Sequence, residues 1–240
     1  MSPPTAASFD LERPTLGARM RAGLRVFEGW LLPSACLGCG LPAIERSGLC
    51  APCRGLLKPA VAVDVPALAA LNVGVHAGLA YDGASGPLLS RYKFSADLAA
   101  GRCLAQLALP ALRAAPRPQA LVPIPLHRSR LRQRGHDQAR GLAADWGKAL
   151  GLPVLGDLLM RERATTPQTE LDGDARRRNL DGAFRATALC PPHVALVDDV
   201  LTTGSTAAAA VAALRAGGAR RIEVWVAAQV PASFQLARAK

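Results

Sequence analysis

The tightest constraint on this chain is the string Val194-Ala195-Leu196-Val197-Asp198-Asp199-Val200-Leu201-Thr202-Thr203-Gly204-Ser205-Thr206. Residues 194–197 are wholly apolar, as a strand buried on both faces of a parallel sheet must be. Two carboxylates follow directly, then a turn of small residues. A helix from about Thr206 comes next, with Gly217-Gly218 at its end. A strand that feeds a helix in this way places ligand chemistry at its carboxyl end. Backbone N–H groups of residues 202–206 can converge on a phosphate at the positive end of the helix dipole. The hydroxyls of Thr202, Thr203, Ser205 and Thr206 add donors, and Gly204 leaves room for close approach. Adjacent acids would repel a bare phosphate. They suit a phosphorylated sugar whose hydroxyls they accept, or a reaction that builds positive charge on that sugar. The plain alternative is a strand and a capped helix with solvated acids. A Walker A loop is excluded, because no Gly-Lys-Ser/Thr ending is present.

The rest of the chain repeats this rhythm. Strands are expected at 73–81, 121–125 and 222–227, and helices at 96–113 and 138–150, the second closed by Gly151. Residues 85–93 read as a helix or turn. Strands alternating with helices predict an α/β fold with a mostly parallel sheet. Residues 1–15 read as a leader. Met20, Leu24, Phe27, Leu31 and Leu32 then mark one amphipathic helix ended by Pro33. It packs on the body or a partner, or lies on a membrane surface. Residues 59–66 read as a linker. No basic start with an apolar core suggests a secretion signal, and no run reaches the ~18 to 20 apolar residues of a membrane helix. A cytoplasmic protein is the expectation. The domains are therefore 1–33 as leader and helix, 34–58 as a cysteine module, and 67–240 as the α/β domain.

Cys36-Leu37-Gly38-Cys39 and Cys50-Ala51-Pro52-Cys53 form two CxxC knuckles with ten residues between them. Four thiolates favour tetrahedral Zn²⁺, and in a reducing compartment paired cysteines point to metal before disulfides. With all four positions filled by protein, the site is structural. Zinc would supply ~10 kcal/mol or more to a piece too small for its own core. The alternatives are two disulfides or a redox pair. Cys103 and Cys190 read as ordinary thiols.

The formal charge is +11, and lysine occurs only at positions 58, 93, 148 and 240. Arginine's planar fork matches phosphate, so the balance points to phosphorylated ligands, nucleic acid or simple composition bias. Arg128, Arg130, Arg132 and Arg134 crowd behind Val122-Pro123-Ile124-Pro125-Leu126-His127. They can neutralise a pyrophosphate, face solvent, or meet a nucleic-acid backbone. Lys93, between two aromatics, reaches a phosphate or snorkels from an apolar patch. His127 is a ligand contact or a structural residue. Asp137 is placed to cap the helix that follows. The long connection 161–185 has no clear period, which marks a functional or disordered segment.

Residues 194–206 resemble the signature of type I phosphoribosyltransferases, and 36–227 resembles the ComF family. The landmarks are the cysteine knuckles, Tyr92-Lys93-Phe94, 122–126, Arg134-Gly135, Pro167-Gln168-Thr169, Arg176-Arg177-Arg178-Asn179 and Gly182-Ala183-Phe184. The resemblance implies that Asp198 and Asp199 hold the ribose hydroxyls of phosphoribosyl pyrophosphate (PRPP). Val200 to Thr206 line that ligand, with the 5′-phosphate on Thr202–Thr206. Mg²⁺ would accompany the pyrophosphate, mostly through substrate oxygens and water. Lys93, His127, Arg128 and Arg134 would serve the pyrophosphate side, and Arg163, Gln168 and Arg178 a hood that closes over it. Gly135-His136-Asp137-Gln138 departs from the family's usual Gly-Phe-Asn-Gln at 136 and 137.

Two functions follow from this resemblance. One is Mg²⁺-dependent transfer of a phosphoribosyl group to a nitrogen acceptor, within nucleotide metabolism. The other is a silent PRPP sensor that engages a helicase-like partner or single-stranded DNA during DNA uptake. Aromatic residues make up only 4% of the chain, which argues against base stacking by the arginine segment.

Overall fold

A computed structural model describes residues 35–42, 48–61, 65–162 and 182–231. The expected N-terminal helix and the hood residues Arg163, Gln168 and Arg178 lie outside them. The elements run α1 (Ala51–Gly55), α2 (Pro66–Ala69), β1 (Gly74–Ala80), α3 (Gly86–Phe94), α4 (Leu98–Ala114), β2 (Ala120–Pro123), α5 (Arg128–Arg134), α6 (Gln138–Leu150), β3 (Leu159–Arg161), β4 (Phe184–Ala186), β5 (His193–Leu201), α7 (Ser205–Ala216) and β6 (Arg221–Gln229).

Four parallel strands form the main sheet in the order β1-β6-β5-β2. This is the α/β architecture expected from the alternating pattern. Side chains alternate across each strand, and both faces are covered. Ala195, Val197 and Trp225 pack with Leu88, Leu104, Leu142 and Trp146 of α3, α4 and α6. Val194, Leu196 and Val224 pack with Val211 and Leu214 of α7 on the other side. A strand buried twice has no polar face to spare, which is why 194–197 reads as one apolar run. Helix α4 lies unusually close to β1. A Cβ added at Gly78 would sit 2.5 Å from the Ala108 Cα.

Both sheet edges are covered, as exposed edges would otherwise invite pairing. At β1 the Ala80 N–H donates to the Lys58 carbonyl at 2.9 Å, and Ala60 N–H to Gly78 at 3.2 Å. Pro59 and Ala60, expected as linker, together with Lys58 are thus an edge cover for β1. At β2 the Leu121 N–H donates to Pro153 (2.9 Å) and Leu155 N–H to Leu121 (2.8 Å). Three further differences from the sequence reading matter for the site. Strand β5 runs through both acids to Leu201 rather than stopping at Val197. The arginine-rich segment, for which the sequence suggested no element, is helix α5, started by His127 and stopped by Gly135 at φ 74°. An antiparallel pair, β3 with β4, was not anticipated.

Candidate functional site

The site is built at the carboxyl end of β5. Asp198 lies opposite Val226 within the ladder, so the two acids obey strand alternation and point to opposite faces. Asp199 goes with Ala195 and Val197 toward α3 and α6. Asp198 goes with Val194 and Leu196 toward α7 and the β3–β4 pair. Asp199 is 6% exposed, and its carboxylate is gripped at both oxygens by Lys93 Nζ, at 3.1 and 3.0 Å. Lys93 sits in the last turn of α3. Asp198 is only partly buried. Its Oδ1 accepts the Asp199 backbone N–H at 2.8 Å. Burial, then the Asp199 charge, push the Asp198 carboxyl up to about 7, against the pull of Lys93 and that N–H.

Two arginines complete the electrostatics. Arg134, at the end of α5, lies over the Phe94 ring at 5.4 Å. Burial lowers its pKa, while Asp199 and Asp198 draw it back up and Arg130 opposes them. Arg161, at the end of β3, lies over Phe184 at 5.3 Å. It is likewise lowered by burial and by Arg130, with Asp198 opposing. Both remain charged. Lys93, Arg130, Arg134 and Arg161 therefore share one field with the two acids. Asp137 also acts on Asp198, so four cations stand against three anions, a balance that still suits a ligand carrying several negative charges.

The loop ahead of α7 differs in detail from expectation. Thr202 and Thr203 are exposed, Ser205 and Thr206 half-buried, and the Thr203 and Ser205 hydroxyls lie 3.0 Å apart. Gly204 has φ 77° and is buried. A Cβ there would meet Val65 Cγ1 at 2.6 Å and Leu68 Cγ at 3.3 Å. The glycine is required by the left-handed turn and by α2 packed beneath it, not only by ligand approach. Val200 and Leu201 continue the strand, and Leu201 is core.

Other expected residues fall differently. The His127 ring is used on its own helix: Nδ1 accepts from Ser129 N–H at 3.3 Å and meets Ser129 Oγ at 2.8 Å. Asp137 caps α6, accepting Arg140 N–H at 3.0 Å, and also takes Leu126 N–H at 3.4 Å. Arg128 belongs to α5, with its side chain outside what is described. Arg161 was passed over in the sequence because nothing local links it to residues 198–199. The signal available was its position at the mouth of the long connection.

At the other flank, Cys36, Cys39, Cys50 and Cys53 bring four sulfurs within 4.8 Å of one another. All are free thiols. The Cys39 and Cys50 sulfurs are 3.7 Å apart, close to the ~3.8 Å tetrahedral edge that a ~2.3 Å zinc–sulfur bond implies. Cys36 Sγ also accepts N–H bonds from Gly38 (3.4 Å) and Cys50 (3.3 Å). Burial works against its thiolate, but backbone donors from Cys39, Cys50 and Gly38 prevail and lower its pKa to about 6. The donor set and spacing fit a structural zinc site. Cys36 and Leu49 join the same core as α3 and α4, and Arg91 Nη1 donates to the Leu37 carbonyl at 2.8 Å.

No family model matches the chain. DNA utilization protein YhgH of Salmonella typhi is 35% identical over 202 residues, covering 80% of this chain and 82% of that protein. Its namesake from Escherichia coli K12 is 32% identical over 197 residues, covering 79% and 82%. Competence protein F of Haemophilus influenzae is 36% identical over 148 residues, 58% of this chain and 65% of its relative. The chain belongs to the ComF family. The match thus spans just under two thirds of the Haemophilus ComF protein. A solved structure of B. subtilis glutamine PRPP amidotransferase, complexed with ADP and GMP, aligns at 21% identity with a TM-score of 0.35. It covers 59% of this chain and 26% of that one, a likeness too slight to bear on function. Among the described residues, no helix of this ComF chain is long and apolar enough to cross a membrane.

Proposed function

We propose that this ComF-family chain binds PRPP at the carboxyl end of β5 and transfers its phosphoribosyl group to a nitrogen acceptor. One observation carries the reading: two adjacent acids stand at the strand end, directly before a helix N-terminus, in the field of Lys93, Arg130, Arg134 and Arg161. In this reading Asp198 and Asp199 accept the ribose hydroxyls. The N–H groups and hydroxyls of Thr202–Thr206 take the 5′-phosphate. The cations meet the pyrophosphate, which leaves with the electron pair of the C1–O bond as the acceptor nitrogen bonds C1. Positive charge building on the sugar is stabilised by the two carboxylates. Mg²⁺ would supply charge neutralisation on the pyrophosphate oxygens. Arg163, Gln168 and Arg178 remain the proposed hood. The cysteine cluster would hold one structural Zn²⁺, in a cytoplasmic protein.

A second reading keeps the binding and drops the transfer. The names of the relatives, competence protein and DNA utilization protein, favour a PRPP sensor acting in DNA uptake through a protein partner. Titration of PRPP with and without Mg²⁺ into the native protein and Asp199→Asn tests both. Native binding is expected to weaken about tenfold or more in the variant, the scale of a lost charged hydrogen bond. If neither form binds, the reading falls. Binding without pyrophosphate release across a panel of bases favours the sensor.

A further inference from the structure

Gln138 opens α6 and is 2% exposed, yet its amide is fully engaged. Its Nε2 donates to the Lys93 carbonyl at 3.3 Å and faces His136 Nε2 at 3.1 Å. Its Oε1 accepts from Arg134 Nη1 at 3.3 Å. The Tyr92 hydroxyl donates to its backbone carbonyl at 2.8 Å. A carbonyl can only accept and a guanidinium can only donate, so Lys93 and Arg134 fix which way the amide points. His136 Nε2 must then accept, which leaves the ring proton on Nδ1 to donate to the Arg134 carbonyl at 3.2 Å. A closed cycle results: Gln138 to His136, His136 to the Arg134 backbone, and the Arg134 guanidinium back to Gln138. The Tyr92 ring packs on His136 at 5.2 Å between centroids.

We infer that Gln138 is the positioning residue of the site, holding Arg134 and the Lys93 segment in register with Asp199 so that both cations are set before a ligand arrives. The inference rests on the PRPP reading above. No other side chain of this size does the same task. Glutamate cannot donate to the Lys93 carbonyl, and an apolar chain can neither donate nor accept. Arginine and lysine carry long, rotamer-rich chains whose ordering weakens binding. Here the cost is met in the free protein, since Arg134 is pinned between the Gln138 amide and the Phe94 ring and Lys93 by its own carbonyl and by Asp199. The effect is local to the pyrophosphate side. The cycle sits beside α3 and Asp199, while the proposed 5′-phosphate position is the turn before α7.

The test uses inorganic pyrophosphate and ribose 5-phosphate as separate probes, each titrated with Mg²⁺ into the full chain. Gln138→Met is expected to lower pyrophosphate affinity about tenfold, the scale of releasing an ordered cationic side chain, and ribose 5-phosphate affinity by less than about twofold. Arg134→Met removes the cation itself and should lower pyrophosphate affinity further, and the double variant should lose little beyond Arg134→Met, because Gln138 acts largely through Arg134. Should Gln138→Met not fold, His136→Phe removes one of the three contacts of the amide and is expected to give about a threefold, pyrophosphate-selective loss. Equal losses for both probes, unchanged pyrophosphate binding, or independent effects of Gln138 and Arg134 would overturn the positioning role while leaving the PRPP reading intact. A native chain that binds neither probe overturns the PRPP reading and this inference with it.

Discussion

Asp198→Asn separates stability from binding at this site. The folded chain raises the Asp198 carboxyl from 3.8 to about 7, through burial and the neighbouring Asp199 charge. The fold therefore favours the protonated form. That contribution is complete below the unfolded value and lost as pH rises through about 7. Between pH 5 and pH 8 the unfolded carboxyl stays ionised, while the folded one is forced to ionise over about two units. At 1.36 kcal/mol per unit, wild type loses up to about 3 kcal/mol from this group alone, and 1 kcal/mol or more after the neighbours relax. Asparagine is nearly isosteric and keeps an oxygen for the Asp199 N–H, now bonded at 2.8 Å. The variant should unfold in urea with similar stability to wild type near pH 5 and clearly higher stability near pH 8. Every other titrating group is common to both proteins, so the difference of differences reports Asp198 together with its coupling to Asp199. PRPP affinity should fall in the same variant. Parallel pH profiles for the two proteins would refute the claim that Asp198 is held against its ionised form.

Lys93→Met leaves the buried Asp199 carboxylate without its cation and should cost about 2 kcal/mol in urea unfolding near neutral pH, largely recovered by adding Asp199→Asn. An unchanged midpoint would mean that the ion pair is not formed in solution. One zinc ion per chain is expected by elemental analysis, lost in Cys39→Ser or Cys50→Ser. A metal-free chain whose cysteine module stays folded would sink the structural site. Gly204→Ala places a Cβ 2.6 Å from Val65 and a side chain at positive φ. It should cost about 1–3 kcal/mol, part of which Val65→Ala restores in the same unfolding assay.

Long, punctuated elements were legible from the residues. Helix α6 was read at its observed bounds because its stop signal is covalent: Gly151 adopts φ 63° at its end, and Asp137 caps the start. Strand β5 was read short because two acids look like a boundary. Its ladder is backbone-made, however, and continues past them to pair Val200 with Ala228 and Leu201 with Gln229. Helix α5 carries five charged or amide side chains in seven positions, so no apolar period announces it. Its cap and its left-handed Gly135 define it instead. Strands of three residues, as in β3 and β4, are too short to show alternation. At the site, the loop and Lys93 were visible as residue types. The Lys93–Asp199 pair spans 106 positions and depends on the strand order. Arg134, His136 and Gln138 are sequence neighbours, but the contacts of Gln138 with Lys93 and Tyr92 span 45 and 46 positions and come only with the placement of α3 beside α6.

The nine-residue helix α3 joins the two chemically marked regions. On its buried side, Leu88, Leu89 and Tyr92 share one core with Cys36 and Leu49 of the cysteine module. Arg91 fastens that module from the same helix, donating to the Leu37 carbonyl at 2.8 Å while its guanidinium pairs with Asp97, the cap of α4, at 2.7 Å. Two residues on, Lys93 closes on Asp199, and its carbonyl is held by Gln138. The module cannot fold on apolar burial of its own, so a metal there would stabilise the flank that α3 leans on. Small displacements at a packed flank are transmitted rather than absorbed, because cores are close-packed. The four cysteines and Asp199 thus lean on the same helix: Leu88, Leu89, Tyr92 and Arg91 seat it against the module, and Lys93 carries it to Asp199.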